Sequence, residues 1–87
     1  MRTRQIDRTE ALVGCRRVHG QLGGLIHMIE EGRDSAEVLT LLAAITHALH
    51  RVGYRMVAEE LEQCLNDPEG CDQDGAARLE KLFLALG

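Results

Sequence analysis

Two runs of apolar residues at helical spacing, separated by a few polar residues and a glycine, constrain this chain more than any other feature. In residues 6–32, Leu12, Cys15, Leu22, Ile26 and Ile29 recur at intervals of three and four, with His19 in the same series. This is one stripe of an amphipathic α-helix. A second stripe, Val38, Leu42, Ile45, Leu49, Val52 and Met56, continues through Leu61 to residue 65. Leu41, Ala44, Ala48 and Val57 flank it and widen the apolar face, as in a helix covered on more than one side. Between the runs lies EEGRDSAE, residues 30–37, where Gly32 suits a helix C′ position. Asp34, followed three residues later by Glu37, fits a capping box opening the second helix at Ser35. The chain is therefore predicted to form an αα-hairpin of helices about 40 Å long, at ~1.5 Å per residue. Gly20, Gly23 and Gly24 each cost roughly 1 kcal/mol relative to Ala inside a helix, so packing has to hold the first helix together.

Beyond the hairpin, NDPEGCDQDG, residues 66–75, reads as a loop from its Asn, Asp, Pro and Gly content. Residues 76–86 place Leu79, Leu82, Phe83 and Leu86 on one face of a short third helix. The predicted class is all-α, one domain over residues 1–87, with residues 1–5 a flexible basic arm. A hairpin of two long helices leaves a full apolar face open, and pairing with a second copy into an antiparallel four-helix bundle closes it economically. Eighty-seven residues also bury little surface on their own, which makes self-association the default expectation.

The composition, 45% hydrophobic and 28% charged, is that of a globular chain, and Tyr54 and Phe83 are its aromatic residues. No stretch reaches the ~20 apolar residues of a membrane span, and MRTRQIDRTE holds no apolar signal-peptide core. A cytoplasmic location without membrane partners is expected. The net charge of −4 conceals an asymmetry: residues 1–33 carry six Arg against four acids, residues 34–87 four basic groups against ten acids. Symmetric copies would gather the positive ends on one surface, which suits a polyanion. Three cysteines in a reducing compartment argue against a disulfide framework and for metal binding, thiol chemistry or plain burial. An enzyme is not expected, since the chain has no phosphate-cradling glycine loop and too little length to enclose a substrate.

The segments RRVHGQLGGLIHMIEEGRD and VLTLLAAITHALHRVG, with the later LEQCL, closely resemble a family of small helical bacterial repressors. That family includes the copper-sensing CsoR, nickel/cobalt-sensing RcnR and formaldehyde-sensing FrmR proteins. The likeness spans about residues 10–65 and, more loosely, the last helix. It implies a three-helix protomer, a dimeric four-helix bundle, a tetramer of two dimers, and binding to double-stranded operator DNA that an effector relieves. In the family a Cys at the start of the second helix shares a site with a His and a Cys near that helix's end on the partner chain. Here those positions hold Ser35, Glu60 and Cys64. Gly14 stands where the family usually carries a DNA-contacting Arg, and His19 where an acid is common. Arg16, Arg17, Gln21 and Arg51 match their family counterparts.

Glu60 and Cys64, at i and i+4, point from one helix face and could give a carboxylate and a thiolate to a transition-metal ion, copper or zinc. Cu(I) favours sulfur and imidazole, and Ser35 supplies neither. A thiol sensor without a cofactor would keep Cys64 and use Cys71, seven residues on, as resolving thiol. The bland alternative is a packed Cys64 and a solvated Glu60. Cys15 with His19 and His47 with His50 are further spaced pairs, each without a third ligand. For DNA, Arg16, Arg17, Arg51 and Arg55 are the phosphate-contact candidates, joined by Arg4 and Arg8 if the N-terminal arm becomes ordered; their competing fate is to solubilise the helices or to pair with Glu10 and Glu59. No helix-turn-helix recognition element is visible. Two functions follow: an effector-relieved repressor, or a divergent bundle that binds no DNA and assembles with itself or a paralogue.

Overall fold

The computed structural model describes residues 8–67, 69, 71 and 73–87. Helices α1 (Thr9–Glu30), α2 (Ser35–Asn66) and α3 (Gln73–Leu86) follow one another, with no strand among the described residues. The all-α expectation is met.

The bend between α1 and α2 is made by backbone geometry. Gly32 takes φ 71°, where a Cβ is strained. Its N–H donates to the Ile29 carbonyl at 3.1 Å and the Arg33 N–H donates to the Met28 carbonyl at 3.0 Å. This doubly bonded left-handed cap stops α1 at Glu30, two residues before the expected end. The expected capping box does not form, because the Asp34 side chain makes no cap hydrogen bond. Glu37 instead accepts from Arg33 Nε at 3.1 Å, an exposed pair in which the carboxylate raises the guanidinium pKa. At its other end α1 begins at Thr9 with Arg8 at the cap position; residues 6 and 7, assigned to this helix from the sequence, lie outside the described residues. A Cys64–Cys71 disulfide closes the α2–α3 connection, and α3 starts at Gln73 where the sequence placed loop up to residue 75.

The face of α1 that meets α2 is one residue out of step with the predicted stripe. Ala11, Val18 and Leu25 are buried and Gly14, Gln21 and Met28 half-buried, whereas Leu12, Cys15, His19, Leu22, Ile26 and Ile29 are exposed. On α2 the matching inner positions are Val38, Leu41, Ile45, Ala48 and Val52, while Leu42 and Leu49 face outward. Val18, Leu25, Ile45 and Ala48 form the core, with Val38 and Leu41 packed against it. A one-residue step turns about 100° round a helix, so α1 carries two adjacent apolar stripes and this chain buries only the first.

α2 packs against both neighbours, and α1 does not pack on α3. The principal-axis extents of 54 × 23 × 13 Å describe a slab whose thickness is close to one helix. α3 is seated by Leu79, 4% exposed, by the Tyr54–Phe83 ring contact at 5.5 Å, and by Leu86 lying over Gly53. A single layer has nothing to cover its outer stripes.

Close approach of α1 to α2 depends on Gly14. A Cβ there would lie 2.6 Å from Val52 Cγ2, a contact no real pair of carbons tolerates. Valine in a helix has essentially one χ1 rotamer, so the helices themselves would have to part. Gly14→Ala is expected to lower stability by about 1 kcal/mol, overpacking outweighing the gain in helix propensity. Gly20, with open space around it, should gain up to about 1 kcal/mol on the same change. Urea unfolding of both variants checks the opposite signs.

Candidate functional site

The two ends of α2 carry the residues singled out for effector binding. Ser35 is its exposed first residue, and Glu60 and Cys64 sit near its last turns. At ~1.5 Å per residue, Ser35 and Cys64 are about 43 Å apart along one helix, so one chain cannot bring them to a common ligand.

Both candidate ligands at the far end have partners. Glu60 Oε1 accepts from Arg8 Nη2 at 2.6 Å, and Glu59 Oε2 from Arg8 Nη1 at 3.0 Å. These side chains are 13%, 24% and 19% exposed for Glu60, Glu59 and Arg8, so the pairs are partly desolvated and removing one partner would leave a half-buried charge uncompensated. Arg55 extends the cluster, bridging to Glu10 and to Glu59, the latter at 3.5 Å. The cluster clips the start of α1 to the end of α2.

Cys64 is bonded to Cys71, with an S–S distance of 2.03 Å and Cα atoms 5.0 Å apart. This corrects the expectation of an undisulfided chain. The redox compartment decides whether such a bond persists, but the approach of the two Cα atoms decides whether it can form. Cys15 is the free thiol among the described residues, exposed on the outer stripe of α1. Cys64 also borders an apolar cavity of about 370 Å³ between α2 and α3, walled by Tyr54, Leu61, Leu79 and Phe83.

The DNA candidates divide. Arg8 and Arg55 are bound to carboxylates, the competing fate foreseen for them, while Arg16, Arg17 and Arg51 are exposed with no ion pair among the described residues. Arg4 lies outside the described residues. Gln21 is half-buried, with its Oε1 buried and without a hydrogen-bond partner. The Cys15 and His19 pair stands exposed, as does His47, and His50 tilts against Tyr54 at 5.8 Å between ring centroids. Pairing with Glu59 was the foreseen alternative, but Glu60 as the second acceptor of Arg8 was not, because the two acids lie 51 and 52 residues from Arg8 and only the hairpin register unites them.

A family model described as metal-sensitive transcriptional repressor matches residues 7–86, nearly the whole chain and all three helices. The chain belongs to that family. Among the metal-sensitive repressors, it is similar to the copper-sensing transcriptional repressor RicR of Mycobacterium tuberculosis, at 42% identity over 50 residues. The matched segment is 58% of this chain and 52% of RicR, so the chain spans about half the length of that relative. No solved structure matches. The resemblance read from HGQLGGLIHMIEEGRD is thus shown at the level of the family.

The metal that the family description implies does not fit the three marked positions as they stand. Ser35 offers a hydroxyl, Glu60 is held by Arg8, and the Cys64 sulfur is committed to Cys71. Soft cations select thiolate and imidazole donors, and this set presents neither in available form. No group of three or more His, Cys, Asp or Glu side chains gathers for a metal among the described residues.

Proposed function

We propose that the chain is a DNA-binding repressor, assembled as an antiparallel four-helix-bundle dimer and then a tetramer, whose affinity for double-stranded operator DNA is relieved by a metal ion or a reactive sulfur species sensed near Cys64. The family match over residues 7–86 carries this reading. Two features of the molecule support it. The outer stripes of α1 and α2 need a second chain to cover them, and that chain, running antiparallel, would bring its own Ser35 end towards Cys64. Arg16, Arg17 and Arg51 are exposed and have no ion pair among the described residues, and repetition by symmetry would multiply their charge over a flat helical surface. With no recognition helix, sequence reading would rest on groove shape and few side chains.

One observation favours the second reading, a helical interaction module without DNA binding. Gly14, where the family usually has an arginine, is pressed against Val52 and has no room for a side chain. Fluorescence anisotropy with duplex DNA from immediately upstream of the chain's own reading frame separates the two. The repressor reading expects binding well above that to an unrelated duplex, weakening steeply between about 50 and 200 mM salt. Equal affinity for both duplexes, or none for either, leaves the interaction module.

A further inference from the structure

Ser35 supplies no sulfur and lies at the far end of α2, so any second soft donor for Cys64 has to come from elsewhere. One is already in contact with it. We propose that Cys64 and Cys71 are a reversible dithiol–disulfide pair within one chain, whose reduced form presents two thiolates to a single soft cation such as Cu(I) and whose oxidised form presents none.

The geometry favours such a pair in both states. Cα atoms 5.0 Å apart allow the sulfurs to bond, and the same separation lets two thiolates flank one small cation after a modest opening. Both cysteines are half-buried, open enough for a small thiol to reach and dry enough to prefer a soft ion over water. The apolar wall of Leu61, Leu79 and Phe83 adjoins Cys64. One turn back along α2, the Glu59 and Glu60 carboxylates are both bonded to Arg8, which neutralises part of the negative charge beside Cys64. Opening the bond need not unseat α3, because Leu79 and the Tyr54–Phe83 contact hold it independently.

The chemistry balances with a small dithiol as reductant and a small disulfide as oxidant. A thiolate of the reductant attacks one sulfur of the pair, the S–S bond breaks, and the departing protein sulfur takes a proton. The second thiolate of the reductant then attacks the mixed disulfide, releasing the other cysteine, which is protonated, and the reductant leaves as a cyclic disulfide. Two electrons and two protons have passed to the protein. Binding of Cu(I) afterwards displaces two thiol protons. This site differs from a cross-chain arrangement in needing only one protomer, and it does not rest on DNA binding.

The test uses the full chain, reduced or oxidised, titrated with Cu(I) against a chromophoric chelator, with thiols counted by an aromatic disulfide reagent. The reduced chain is expected to show all three of its cysteines as thiols and to take up one Cu(I) with an ultraviolet sulfur-to-copper band. The oxidised chain should show the single thiol of Cys15 and no uptake. Cys71→Ser, with its helix content confirmed by circular dichroism, should lose more than about 100-fold in affinity, beyond the cost of an outer-shell contact. Cys15→Ser should match the parent. Cu(I) binding by Cys71→Ser as tight as the parent's, uptake by the oxidised chain, or oxidation that yields cross-chain bonds in place of the internal one each overturns the proposal. A chain that ignores DNA but passes these measurements leaves it intact.

Discussion

Ile26→Glu is expected to abolish self-association while Leu25→Glu, one residue earlier, is expected to unfold the chain. Leu25 is 7% exposed in the core with Val18, Ile45 and Ala48, and a carboxylate there has no partner. Ile26 is 52% exposed in the middle of the outer stripe, between Leu22 and Ile29 on α1. Nothing within one chain is lost by placing a charge at that position. In a bundle of two chains the same carboxylate is buried without compensation, at several kcal/mol, and a twofold interface repeats the cost. Since about 1.4 kcal/mol is tenfold in an equilibrium constant, the dissociation constant should rise by at least about 1,000-fold. Sedimentation at micromolar concentration should find a dimer or tetramer for the parent and a single chain for the variant. The parent's melting midpoint should rise with protein concentration and the variant's should not. A parent chain that sediments singly, well folded, would remove the bundle and with it any pocket shared between Ser35 and Cys64.

The neighbouring fates of Leu25 and Ile26 also show how far the sequence could be read. Periodicity fixed the number of helices and the Gly32 bend, since both follow from local spacing and backbone preference. It could not say which of two adjacent stripes on α1 meets α2. Leu12, Leu22, Ile26 and Ile29 are larger than Ala11, Gly14 and Val18, so the bulkier stripe attracts attention, yet small residues are what allow two helices of one chain to approach. The disulfide was hidden for another reason. Cys71 as a partner for Cys64 was legible from their separation of seven residues, but the bond itself depends on how near the two Cα atoms come in the fold. Arg8 had two readings in the sequence, phosphate contact or carboxylate pairing, and spacing alone could not choose between them. Its neighbours suggested a basic arm for DNA, whereas the hairpin register delivers it to Glu59 and Glu60.

That same register sorts the arginines into two groups whose behaviour toward DNA should differ. Replacing Arg16 and Arg17 together with Ala removes two exposed cations that no carboxylate of the described residues neutralises. Each phosphate contact contributes about −0.9 to the slope of log affinity against log salt, so losing two on one or two chains of an assembly should shrink the slope by roughly 2 to 4. Arg55→Ala removes one formal charge, half as much, and that charge is spent on Glu10 and Glu59. Its slope should change by less than about 1, the contribution of a single contact. The Arg55 variant should instead lose up to about 1 kcal/mol of stability, the range of an exposed ion pair, since its side chain is 57% exposed. Anisotropy titrations over a salt series, with urea unfolding alongside, separate the two effects. If Arg55→Ala flattened the salt dependence as much as the double variant, the acidic residues would be releasing Arg55 on binding, and the DNA surface would extend to the start of α1. If neither variant altered the slope, the exposed arginines would be solubilising charges and the assembly a bundle without a nucleic-acid partner.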